Sequence, residues 1–298
     1  MPKLLIFLKE KKTIVLYTLY FIGVFVISLY ITFPLDTLKP LIEGKLRVLF
    51  NRPVSFTRID THYITGVELD DLVIADTKGG TEPLFSAQKV TLFMNPFSLL
   101  GGSYSGYFNV ESLGGKISGS LSMSNTEIDI DTHFKGINPK LLKLLVAKDY
   151  VIDGKINGSI EGIAVLNDFT KSNGRVELDA KKLNIEHVSL TTPLGPFVFP
   201  ELEFTNFITS ISIKDGNVDL KKITLEGESA KIYIKDGIIK LAKNRADAKI
   251  NLKLEFELDE ELKKRFGVIV DQFCNYNSAT NLYSLKLSGS LLAPVATK

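Results

Sequence analysis

One cysteine, Cys274, excludes an intrachain disulfide framework, and three histidines, His62, His133 and His187, share no metal-ligand spacing. The 36 basic and 34 acidic residues are spread along the chain and nearly cancel, to a formal charge of +2. No basic patch with interleaved aromatics stands out, so there is no electrostatic argument for nucleic acid. Catalytic signatures are missing too. GGSYSG carries Tyr104 where a nucleophile elbow needs serine, and DGKINGS lacks the phosphate-loop spacing. Asp215, Asn217, Asp219 and Glu226 mimic a calcium loop, but Leu220 occupies the position that needs glycine. Asp70 and Asp71 are adjacent on an expected strand and would point to opposite faces, the wrong geometry for paired acid–base work. The expectation is a protein without catalytic chemistry, metal or cofactor.

The chain does contain one long apolar run. Residues 13–33 read TIVLYTLYFIGVFVISLYITF, with no charged residue. A helix of that length spans about 31 Å, close to the hydrocarbon thickness of a bilayer. The exit SLYITFPL offers no small-residue cleavage site, which favours an uncleaved anchor over a signal peptide. Val15, Leu19, Ile22, Phe25 and Ile27 would meet lipid. Lys3, Lys9, Lys11 and Lys12 precede the run and keep residues 1–12 in the cytoplasm. With no second run of comparable length, the expectation is a single-pass protein whose remainder lies across the membrane, in the periplasm of a Gram-negative cell.

Residues 34–52 carry Leu38, Leu41, Ile42, Leu46, Leu49 and Phe50 at helical spacing, predicting a membrane-proximal amphipathic helix stopped by Asn51 and Pro53. From residue 53 to 298 the period falls to two. Ile117, Gly119 and Leu121 share one side of a strand, as do Ile128 and Ile130, and Val176 and Leu178. Leu252, Leu254 and Phe256 do the same, and so do Leu285 and Leu287. In VIDGKINGSIEG, Ile152, Gly154, Ile156, Gly158 and Ile160 alternate with a wholly polar set. Such strands suit an antiparallel sheet that is wet on one side. Lys214-Asp215-Gly216 and Lys235-Asp236-Gly237 both suit tight hairpins. NPKLLKLLVAK and LDEELKKRFGVIVDQF predict two further helices, the second packing through Leu262, Phe266, Ile269, Val270 and Phe273. Glycine repeated on the apolar face would let the sheet curve tightly around it. The expected fold is mainly β: a long, strongly curved antiparallel sheet, a taco-like half-tube, with a few short helices after the anchor.

The order of these features resembles the type II secretion system protein N family, whose relatives include the AsmA-like membrane proteins. FPLDTLKPLIEGKL follows the anchor, and NRPVSFTRIDTHYITGVELDDLVIAD supplies the first strands. The most distinctive part is PLFSAQKVTLFMNPFSLLGGSYSGYFNVESLGGKISGSLSM, and DGKINGSIEG and YSLKLSGSLLAP are similar to the later strands. The resemblance implies an inner-membrane accessory subunit of the secretion machine with other secretion subunits as partners. Through the AsmA-like relatives it also implies a groove that holds membrane lipid.

Three readings of the apolar face stay open on sequence: a scaffold for other subunits, a lipid carrier, or a closed core. Acyl chains and core side chains ask for the same surface. Two helices are few to cover so wide a face, which favours a half-closed sheet with an apolar groove.

Overall fold

The computed structural model describes residues 16–18, 20, 21, 23–25, 28, 35–63, 65–75, 83, 85–112, 114–139, 151–186, 189–192, 195–198, 201–243, 247–291 and 293–298. A short 3-10 turn, Leu35–Leu38, leads into helix α1, Lys39–Phe50. Pro40 sits in its first turn, where its missing N–H costs nothing. Asn51 ends the helix in the left-handed conformation at φ 49°. Helix and stop fall where the sequence places them.

The rest is a meander. Strands β1 (Val54–Ser55) and β2 (Arg58–His62) both pair with β3 (Gly66–Ile74). Then β4 (Phe85–Met94), β5 (Tyr104–Ser112), β6 (Gly115–Met123), β7 (Glu127–Ile137), β8 (Val151–Val165) and β9 (Asn173–Glu186) follow, each antiparallel to the one before. A separate hairpin, β10 (Ser189–Thr192) with β11 (Gly195–Val198), interrupts. The sheet resumes when β12 (Leu202–Phe204) and β13 (Asn206–Lys214) pair with β9. It continues through β14 (Asn217–Glu226), β15 (Ala230–Lys240) and β16 (Lys249–Leu258). Helix α2 (Glu260–Phe273) and β17 (Asn275–Asn277) precede β18 (Leu282–Ser290), which pairs with β16, and β19 (Ala293–Thr297) closes the far edge. Among the described residues the result is one antiparallel sheet of 17 strands with few short helices.

Two expectations need correction. Lys214-Asp215-Gly216 makes its hairpin, with Asp215 and Gly216 at φ 48° and 69°. Lys235-Asp236-Gly237 does not. It lies inside β15, where the pairing with β16 slips between Ile234 and Gly237. A Cβ on Gly237 would come 3.0 Å from both Leu220 and Leu252, so this glycine serves close packing within the sheet. In α2, Leu262 and Phe266 are buried and Val270 packs beside them, but Phe273 is exposed. The helix ends at Phe273 as its sequence suggests, but this last ring lies outside the cluster of Leu262, Phe266 and Val270. The Ile269 side chain and the expected helix beyond Pro139 lie outside the described residues.

The anchor falls mostly outside them as well: of Val15, Leu19, Ile22, Phe25 and Ile27, only Phe25 is described. Residues 16–18, 20, 21, 23–25 and 28 are helical. Among the described residues no helix is long and apolar enough to cross a membrane.

Candidate apolar face of the sheet

Directly paired residues in a sheet point to the same side, so the register traces the apolar face from strand to strand. One row runs Ile59, Leu69, Val90, Val110, Ile117, Phe134, Gly158 and Leu178, each paired with the next. It continues through Thr209, Ile223, Ile234, Leu254 and Leu285. A second row, nearer α2, joins Ile137, Ile156, Ala180, Phe207, Leu225, Ile232, Phe256 and Tyr283. On the other side of the first row, Leu92, Phe108, Gly119, Thr132, Ile160, Val176, Ile211 and Leu220 line up, and Leu252 pairs with Leu287. Farther out still, Met94, Gly106, Leu121, Ile130, Gly162, Gly174, Ile213, Val218, Ile239 and Ile250 form another row. Ile128 pairs with Met123 in the same direction, and Ile152 packs beside Ile156 in the cluster under α2. Gly154 lies between them where the pairing of β8 with β9 slips.

Rows on opposite strands stay in phase although the sheet slips register four times, between Phe134 and Ile137, Asp153 and Lys155, Ser210 and Ile211, and Ile234 and Gly237. Each slip adds a local bend and twist without reversing the face. Two threonines interrupt the apolar pattern, Thr132 and Thr209. Both are buried, and their hydroxyls have no hydrogen-bond partner among the described residues.

Both helices lie on this face, at opposite flanks. Ile42 and Leu46 of α1 pack on Ile59, Leu69 and Val90. Leu262 and Phe266 of α2 pack on Ala180, Leu183, Phe204 and Ala230. Most of the buried apolar side chains collect in these two clusters; Ile137, Leu220, Ala248, Leu252 and Tyr283 are buried outside them. Between them the face is only half covered. Ile117, Phe134, Ile160, Val176 and Leu178 are half-buried, Leu121 is 39 % exposed, and of the groove residues singled out on sequence only Leu252 is buried, at 7 % exposure. None of these residues belongs to the cluster under either helix. A cavity of about 340 Å³ opens to one side of this stretch, over β3–β6, between Ile42 of α1 and Leu92, Met94, Tyr104, Leu121 and Met123 of the sheet.

No protein-family model, curated protein or solved structure matches the chain. The functional reading therefore rests on the geometry of this face.

The opposite face is mostly polar, with Phe93, Tyr107, Ile163 and Ile238 among its exceptions, and carries surface ion pairs. Lys89 donates to Glu68 at 2.8 Å, with His62 3.2 Å from the same carboxylate, and this holds Glu68 below the usual carboxylate range. Lys231 donates to Glu257 at 3.0 Å and lowers that carboxyl in the same way. His133 is exposed beside Asp131, 3.5 Å away. Cys274 is buried, and desolvation pushes its thiol up, away from reactivity. Among the described residues no group of His, Cys, Asp or Glu is placed to hold a metal ion.

Sequence reasoning placed Met123 on the apolar face with Leu121 but missed Leu92, Met94 and Tyr104. The signal that could have found them is the run Val90 to Val110, which contains no charged residue.

Proposed function

We propose that the β-domain binds lipid, holding acyl chains against its apolar face, and that residues 13–33 anchor it in an inner membrane with the sheet in the periplasm. One observation carries this reading: a row of apolar side chains crosses the sheet in register, yet its central members stay half-exposed. Leaving so much hydrocarbon against water costs about 25 cal/mol per Å², so a bound apolar ligand is the natural occupant. Register slips that bend the strands, and helices packed on the same face at both flanks, support a half-closed, taco-like groove. The anchor is supported by its composition and by exposed apolar side chains on its helical stretch, among them Leu16, Tyr17, Phe21 and Phe25.

The second reading is a non-enzymatic scaffold of the type II secretion machine. It rests on the sequence resemblance, and one sheet edge favours it. Among the described residues β19 has no strand beyond it, an edge open to strand addition by another subunit.

Native mass spectrometry of the full chain released from detergent separates the two. The groove reading expects phospholipid that survives on the wild type, drops at least several-fold in Leu178→Asp, and stays in Glu177→Ala on the polar face. Equal lipid in all three would place it on the anchor alone and sink the groove.

A further inference from the structure

At the tips of β3 to β6 the apolar face runs out into solvent without a charge on it. Val90 to Val110 is uncharged, and so are Tyr63 to Val67 and Ile117 to Thr126. Pairing makes these three stretches neighbours: Val67 meets Leu92, Leu92 meets Phe108, and Met94, Gly106 and Leu121 follow one row farther out. Aromatic rings project from this end. Phe97, in the 3-10 turn Pro96–Gly101, is 77 % exposed and Tyr63 is 74 % exposed, stacked on Phe93 at 6.1 Å. Tyr104 and Tyr107 are exposed beside them.

The same end of the sheet looks different only a few strands away. There the tips carry Glu161, Arg175, Lys214, Asp219, Lys240 and Lys249, with Arg175 within 4.0 Å of Glu161. The loss of charge is thus confined to β3–β6, where the 340 Å³ cavity opens. An uncharged tip of Tyr, Phe, Leu and Met suits the bilayer interface, where amphipathic rings sit at headgroup level. A protein-binding patch would ordinarily carry a polar, partly charged rim. The 3-10 turn Leu35–Leu38 lies against β2, so the chain coming from residues 13–33 reaches the sheet at this same flank.

We propose that the β3–β6 end docks onto a phospholipid bilayer surface, with Phe97 and the neighbouring tyrosines in the headgroup region. This goes beyond the groove, since the contact would hold even if the apolar face carried no lipid.

The chain has no tryptophan, so Phe97→Trp supplies a single reporter on an exposed side chain. The full-length variant is reconstituted into phosphatidylcholine vesicles with or without brominated acyl chains. Tyr276→Trp, on β17 at the opposite end, is the control. Docking predicts blue-shifted emission at 97 and at least twofold quenching by bromine, with little change at 276. Equal quenching at both sites, or none at 97, overturns it. Emission at 97 that shifts with protein concentration in the absence of vesicles assigns the tip to a second copy and overturns it too. Quenching at 97 must persist in a Leu178→Asp background; its loss there would trace the signal to lipid in the groove.

Discussion

Gly158 of β8 lies directly opposite Leu178 of β9, and a Cβ on Gly158 would come 2.0 Å from the carbonyl oxygen of Glu177. Its φ is 147°, a conformation that L side chains rarely adopt. The glycine is therefore demanded by the neighbouring backbone, more than by room on the apolar face. Gly158→Val should destabilise the fold by about 3 kcal/mol or more, through strain and forced strand separation. Ser159→Ala, one residue along on the polar face, should stay within about 0.5 kcal/mol. Urea unfolding of the full chain in detergent, followed by circular dichroism, compares them. Similar losses from both would contradict the facing.

Helix α2 is held by few contacts, and they are unequal. Phe266 is 3 % exposed among Ala180, Phe204 and Ala230, so Phe266→Ala should cost about 3–5 kcal/mol. Phe273→Ala, on an exposed ring, should cost under about 1 kcal/mol. The same unfolding assay reads the difference, and a Phe273 variant as damaged as the Phe266 one would mean that the helix packs farther along than described.

Asp259 caps α2: its Oδ1 accepts from the Leu262 N–H at 2.7 Å. Asp259→Ala should lose about 1 kcal/mol, and Asp259→Ser or Asp259→Asn should recover most of it. Failure of both to rescue would assign the loss to charge and not to the cap.

Acid should weaken the polar face. Glu68 and Glu257 are both held below the usual carboxylate range, first by hydrogen bonds from Lys89 and Lys231. A carboxyl depressed in the folded state contributes stability above its unfolded value and loses it as pH falls through the folded one. Melting temperature should hold near neutrality and decline below the usual carboxylate range. In a Glu68→Gln, Glu257→Gln double variant that decline should be shallower. An unchanged acid limb would show that other carboxyls set it.

The faces of the strands were legible because the period of two holds between the register slips: Ile117, Phe134, Leu178, Leu254 and Leu285 share one row. The end of α1 was legible from Asn51 and Pro53, residues that act locally, whereas the cap that Asp259 provides for α2 was not read. The slips were not, since they depend on pairing between strands. Lys235-Asp236-Gly237 looks like Lys214-Asp215-Gly216 in sequence, and only the neighbouring strands make one a bulge and the other a turn. Nor does alternation say what covers a face. Ile156 and Leu178 are equivalent by pattern, yet Ile156 packs in the cluster under α2 and Leu178 does not belong to it.

The central claim is that this face holds acyl chains, and site-specific photocrosslinking in intact cells tests it most directly. A benzophenone amino acid replaces Leu178 on the apolar face or Glu177 on the polar face of the full chain. Mass spectrometry then identifies what each captures after irradiation. The account predicts a phospholipid adduct at 178 and none at 177. A protein adduct at 178, or no adduct at either position, would contradict it.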